Sequence, residues 1–207
     1  MPPRDARDVA TALRNLNAEM LTSTQFPLAE HATQAVFGTG HAPASIMLLG
    51  EQPGEQEDLG GKPFIGPAGK LLDQALQEAS IKRSEIYITN TLKHYKFKLQ
   101  GMRRVHMVPG VGDIKTYLPW LQREVLLVQP KVIVAMGSIA TRAATGQTLG
   151  LEDNRGKLIP LTNGRQVVLT YHPSFILRTP DKETKQLRYE RLVADLKLAA
   201  KAAADGD

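Results

Sequence analysis

Three short stretches of this chain pair a chemically capable side chain with small residues that let a ligand approach. They are Gly50-Glu51-Gln52-Pro53-Gly54, Thr89-Asn90 and His172-Pro173-Ser174. In such a glycine-flanked turn, Glu51 is either a solvated turn residue or a carboxylate that activates water or stabilises a developing cation. Asn90 either satisfies a turn or presents a donor and an acceptor together, as reading a base edge requires. His172 is either structural or, as a neutral imidazole, a donor to an oxygen on which charge develops. A fourth stretch, Gly60 to Gly69, is rich in Gly and Pro and holds Phe64. That ring reads as core or as a stacking platform for a flat ligand.

The elements around these residues explain why they belong together. Four apolar runs, 45–50, 86–90, 131–137 and 166–173, have the length of buried strands and lack alternation, as parallel strands covered on both faces do. Helical patterns separate them. Val9, Leu13, Leu16 and Met20 mark a helix over about 5–20, and Pro67 opens one carrying Leu71, Leu72, Ala75, Leu76 and Ala79. A third helix face runs from Ile114 to Leu126, Ser138 is placed to cap a fourth helix, and 187–203 closes the chain. Lys157 to Leu161, followed by Asn163-Gly164, suggests a hairpin onto the last strand. The expected fold is α/β: a three-layer α/β/α sandwich with a central four-stranded, mostly parallel sheet, in one domain over 1–207 with its core at about 33–200. Ligands of such sheets bind at the carboxyl ends of the strands, which is where Gly50, Glu51, Gln52, Asn90, His172 and Ser174 fall.

Composition narrows the chemistry. The 207 residues include no cysteine, which excludes disulfides, thiolate catalysis and cysteine-held metal centres. The five histidines lie too far apart in sequence for a metal-ligand motif, so neither metal nor cofactor is expected. No run of about 18 apolar residues exists to span a membrane, and the N-terminus has no apolar signal core, so a cytoplasmic protein is expected. Glycine spacing fits neither a phosphate loop nor a dinucleotide fingerprint. The net charge is +5, and Lys82, Arg83, Lys93, Lys96, Lys98, Arg103 and Arg104 crowd 82–104 against Glu85 alone. That run reads as a solvated surface or as a polyanion-binding stripe.

Taken in order, Gly50 to Gly54, Pro63-Phe64-Ile65-Gly66-Pro67-Ala68-Gly69, Thr89-Asn90, Pro119-Trp120-Leu121 and His172-Pro173-Ser174 resemble the uracil-DNA glycosylase superfamily. The likeness runs from about Thr33 to about Ala199 and is strongest to the family 4 type and its UdgX group. It implies uracil-containing DNA as partner, a monomer, and a uracil flipped into a pocket at the strand ends. It also implies roles: Glu51 and Gln52 beside the sugar and water site, Phe64 stacked on uracil, Asn90 on its Watson–Crick edge, and His172 at O2. The Ser174–Arg178 loop would enter the minor groove, with Leu177 as wedge, and Lys93, Arg103, Arg104 and Arg178 would contact DNA.

Two features depart from or extend that pattern. The resemblance implies a four-iron cluster on cysteines, yet Leu21 to Phe26 and Tyr117 stand where cysteines are expected. Phe26 and Tyr117 are therefore expected to fill the space by packing. Met102-Arg103-Arg104-Val105-His106 resembles the UdgX insertion Lys-Arg-Arg-Ile-His, whose histidine attacks the sugar and joins protein to DNA. His106 is either that nucleophile or a DNA-contacting residue of a basic loop. The functional alternatives are thus a turning-over glycosylase with Glu51-directed water, a module that captures uracil-DNA without turnover, and a nucleotide-binding protein, which the full motif set disfavours.

Overall fold

A computed structural model describes residues 5–205; the first four and last two residues of the domain expected over 1–207 lie outside it. Helix α1 (Ala6–Thr22) starts where the Asp5 carboxylate accepts from the backbone N–H groups of Arg7 and Asp8, and it buries Val9, Leu13, Leu16 and Met20. The chain continues through a 3-10 turn (Pro27–Glu30), β1 (Thr39–Gly40), β2 (Ile46–Gly50), α2 (Glu55–Gly60) and α3 (Pro67–Glu78). Next come a second 3-10 turn (Arg83–Glu85), β3 (Tyr87–Asn90), β4 (Phe97–Gln100), β5 (Arg103–His106) and α4 (Val111–Val128). The last third comprises β6 (Val132–Met136), α5 (Ser138–Thr145), α6 (Leu151–Asn154), β7 (Leu158–Pro160), β8 (Gln166–Thr170), α7 (Pro173–Leu177) and α8 (Lys182–Asp205).

The main sheet has the order β1-β3-β2-β6-β8-β7. Its middle four strands are parallel and are the four apolar runs of the sequence. The sheet is wider than the expected four strands, because β1 and β7 add antiparallel edges. β7 is the expected hairpin arm; β1, two residues long, is too short to leave a periodic signature. Strand alternation splits the core in two. Ile46, Leu48, Ile88, Val134 and Val168 face Leu72 and Leu76 of α3 and Leu192, Leu196 and Ala199 of α8. Met47, Leu49, Ile133, Ala135, Val167 and Leu169 face Leu121 and Val128 of α4, Ala140 of α5 and Val9 and Leu13 of α1. The layers are therefore α/β/α. Ser138 is the first residue of α5 rather than its cap; Gly137, at φ +87°, holds the cap position, in a backbone region that favours glycine. No described helix is long and apolar enough to cross a membrane.

A third apolar cluster answers the question raised by the missing cysteines. Phe26, Tyr117 and Trp120 pack with Leu16, Met20, Leu92 and Ile114. The Phe26 ring lies 4.8 Å from that of Tyr117 and meets Trp120 edge-on at 5.0 Å. The Tyr117 hydroxyl is 2.6 Å from His94 Nδ1. The residues here do not fit an iron–sulfur cluster: they are close-packed rings offering no thiolate ligand, in a chain without cysteine. Burial holds the His94 pKa down at about 4 and pushes the Tyr117 hydroxyl up, so both stay neutral near pH 7. Since Phe26 is 3% exposed and central to this cluster, Phe26→Ala is expected to cost about 3–5 kcal/mol, checked by equilibrium urea unfolding.

Candidate active site

The carboxyl ends of β2, β3 and β8 converge on a cavity of about 200 Å³, walled by the loops that follow them. Gly50 makes the convergence possible. A Cβ there would lie 2.3 Å from Asn90 Oδ1 and 2.6 Å from Phe64 Cζ, so only glycine lets amide and ring meet above the strand. Phe64 sits at φ +55°, a region non-glycine residues seldom adopt, and its ring is 5.7 Å from that of His172. Its loop is held from below. The Glu57 carboxylate accepts from the N–H groups of Ile65 (3.0 Å), Gly66 (2.7 Å) and Gly54 (3.1 Å), tying the Phe64 loop to the Glu51 turn.

Asn90 is buried, and its Oδ1 makes no hydrogen bond among the described residues. A buried amide oxygen without a protein partner is costly, and this one lies in the cavity wall, where it can accept a hydrogen bond. Behind it, Lys93 Nζ donates to the Asn90 carbonyl at 2.7 Å and to Glu124 Oε2 at 2.7 Å, and also to Thr89 Oγ1. Glu124 in turn accepts from Tyr87 and Thr89 hydroxyls. Lys93, expected on the DNA surface, is thus a buried strut that clamps the end of β3; at 2% exposure it cannot reach a phosphate.

His172 Nδ1 accepts from the Ser174 N–H at 3.2 Å and lies 2.8 Å from Ser174 Oγ. That leaves the proton on Nε2 in the neutral ring, as a donor for the cavity. Burial, with Arg178 and His106 adding to it and Glu51 opposing, lowers the His172 pKa from 6.5 to about 4. Beside the cavity, His106 at the end of β5 brings its Nε2 within 3.1 Å of Glu51 Oε1 and its Nδ1 within 3.1 Å of Gln52 Nε2. Gln52 also donates to the Met107 carbonyl and accepts from the Lys96 N–H, so it seats the β4–β5 hairpin against the Glu51 turn. A second cavity of about 290 Å³ adjoins the first between Glu51, His106 and Arg178. The sequence-predicted Glu51, Gln52, Phe64, Asn90, His106, His172 and Ser174 therefore share one site.

The basic stripe is mostly spent on ion pairs within the chain. Lys82 pairs with Glu85, Arg83 with Asp73, Lys93 with Glu124 and Lys96 with Asp113. Arg104, expected on phosphate, donates to the fully buried Asp58 at 2.7 Å and covers the Phe97 ring at 4.8 Å. Of the seven cations, only Lys98 and Arg103 form no ion pair among the described residues. Arg178 is exposed at the cavity rim. Leu177, expected as the wedge, is half-buried, and the exposed apolar residue of α7 is Phe175, at 41%. Sequence reasoning missed Glu57, Asp58 and Glu124. Glu57-Asp58 could have been suspected as an acidic pair just after the glycine turn; Glu124 reaches the site only through the fold.

This is an α/β protein with a cavity lined by an aromatic ring, a buried amide and a histidine at the carboxyl ends of the parallel strands of its sheet. The sequence profile of the uracil DNA glycosylase superfamily matches residues 37–197, and the chain belongs to that superfamily. Among its relatives, the type-4 uracil-DNA glycosylase of Thermotoga maritima is 32% identical over 168 residues, covering 81% of this chain and 84% of the relative. Those of Pyrobaculum aerophilum and Archaeoglobus fulgidus are each 30% identical, covering 81% and 86% of this chain and 86% and 87% of their own lengths.

Two outcomes follow from this geometry. A histidine neutral in the fold down to about pH 4 but protonated near 6.5 when unfolded withdraws stability as pH falls from 6.5 towards 4. The His172 ring protons in an NMR titration should accordingly shift with a midpoint near 4, not near 6.5. Lys93→Met should destabilise the fold by about 3–5 kcal/mol by leaving Glu124 buried and unpaired, and part of the loss should return in Lys93→Met/Glu124→Gln, measured by urea unfolding.

Proposed function

We propose that this chain is a DNA glycosylase that flips uracil out of DNA and breaks its N-glycosidic bond. The observation that carries the reading is the unpartnered Asn90 Oδ1, buried in the same cavity as the Phe64 ring and His172. Uracil offers what these groups lack: a flat face for Phe64, an N–H for Asn90 Oδ1, and a carbonyl oxygen for His172 Nε2–H. As the bond from sugar to base breaks, its electron pair leaves with the base. A neutral His172 stabilises the resulting anion by donation without first having to lose a proton. Glu51 stands on the sugar side, where a carboxylate stabilises the developing oxocarbenium ion. The reading extends to a single-domain monomer acting in the cytoplasm.

The fate of the sugar turns on His106, and its contacts with Glu51 and Gln52 favour covalent capture. Gln52 donates to Nδ1, so the ring proton rests on Nε2 and points at Glu51. In one step Nε2 bonds to the anomeric carbon, the bond from that carbon to uracil breaks with its electron pair leaving on the base, and the Nε2 proton passes to the Glu51 carboxylate, so no free imidazolate forms; a tethered nucleophile has a large advantage over water. In the alternative, Glu51 takes its proton from water, and the enzyme turns over.

Uracil-containing DNA incubated with the protein should give free uracil and a protein–DNA band that survives denaturing electrophoresis. Asn90→Ala should slow single-turnover excision at least roughly tenfold, the loss of one oriented contact. His106→Ala should abolish the band. Uracil released in large excess over protein without a band would establish turnover, and no release at all would refute the glycosylase reading.

A further inference from the structure

Large apolar side chains are concentrated where the fold leaves them bare. Five of the eleven exposed ones among the described residues, Leu99, Met102, Met107, Val108 and Val111, fall between 99 and 111. Isolated exposed apolar residues need no explanation, but a concentration on one segment beside a site does. Leu99 is 69% exposed and Met102 fully exposed, both at the tip of the β4–β5 hairpin, whose two-residue turn runs through Gly101 at φ +61°. Gln52 anchors the base of this hairpin and Arg104, opposite Leu99, is tied to Asp58, so the turn beyond them is held out rather than folded back.

The register says where the tip points. Phe97 pairs with His106 and Leu99 with Arg104, so these four side chains share one face; Lys98, Val105, Gln100 and Arg103 share the other. Leu99 therefore extends the face that carries His106, two residues further out, about 7 Å at a strand rise of about 3.4 Å per residue. Stacked bases are spaced by about 3.4 Å per strand, so a reach of about 7 Å extends to about two nucleotides from the one at His106, the adjacent base included. Lys98 and Arg103, the two cations of the basic stripe without ion pairs, lie on the opposite face of the same tip.

We infer that the hairpin tip is a second DNA-contacting element: Leu99 and Met102 pack on the base next to the flipped nucleotide, and Lys98 and Arg103 hold its phosphates. The inference rests on the uracil-excision reading. The occupant is a DNA strand because the hairpin tip that carries the apolar pair carries positive charge on its opposite face and is continuous with the site through His106. Phe175, across the site on α7, is a further exposed apolar residue on a site-lining segment, as is Ile65 of the Phe64 loop.

The test is a single-stranded oligonucleotide carrying 2-aminopurine beside uracil, mixed with wild-type protein, Leu99→Ser/Met102→Ser and Met102→Leu. Both residues are exposed, so the double variant should keep the wild-type unfolding midpoint. Wild type and Met102→Leu should raise the 2-aminopurine fluorescence as the neighbouring base loses its stacking. The double variant should lose that rise and bind roughly fivefold more weakly. An unchanged fluorescence rise and affinity in the double variant, with wild type releasing uracil, would overturn the hairpin role alone. A wild type that releases no uracil would overturn the glycosylase reading and this inference with it. A dimeric wild type that the double variant turns monomeric, with no change in DNA binding, would assign the tip to a second copy of the chain and overturn the inference.

Discussion

An ammonium and a carboxylate lie buried side by side between β3 and α4: Lys93 and Glu124, each 3% exposed at the side chain. Neither charge survives there alone, since removing an ion from water without a partner costs several kcal/mol. Their pairing therefore fixes how α4 sits on the sheet. It also fixes where β3 ends, because the same ammonium holds the Asn90 carbonyl that the strand ladder leaves over. The unpartnered Asn90 amide is presented to the cavity from this support. Gly50, Phe64 and His172 are arranged around a point that the buried pair defines.

The same economy governs the loops. Glu57 collects three backbone N–H groups and thereby joins the Phe64 loop to the Glu51 turn. Asp58 takes Arg104 and the Thr33 N–H, which ties the hairpin and the N-terminal segment to the same short helix. Adjacent acidic residues thus brace opposite walls of the site. Where relatives of the family 4 type are expected to use a metal cluster to knit the N-terminal segment to α4, Phe26, Tyr117 and Trp120 do it here by ring packing.

Electrostatics in the cavity separates two histidines by environment. His172 is driven neutral by burial and oriented by Ser174, which suits a donor to a forming anion. His106, half exposed, is set between a carboxylate and an amide, which suits a group that gives up a proton and offers a lone pair. Composition alone does not tell the two histidines apart; the structure shows that they differ in burial and in partners.

Much of this was legible in the sequence because it is local. The four parallel strands show as continuous apolar runs, since burial on both faces removes alternation, and the strand-end motifs stand where those runs stop. The glycines and prolines of the Phe64 loop are likewise local, whereas the demand for glycine at position 50 comes from Phe64 and Asn90, which only the fold brings against it. What depends on partners far apart in the chain was not legible. A lysine reads as surface charge until a glutamate 31 residues away is brought against it, and Arg104 reads as a phosphate ligand until the hairpin folds onto Asp58, 46 residues before it. Leu177 and Phe175 sit in one helical turn, and only the packing of α7 decides which is covered. The sequence by itself determined the strand order of chemistry along the chain; tertiary structure decided which charges are spent inside, because the cost of burying an unpaired charge is settled only by what lies next to it in space.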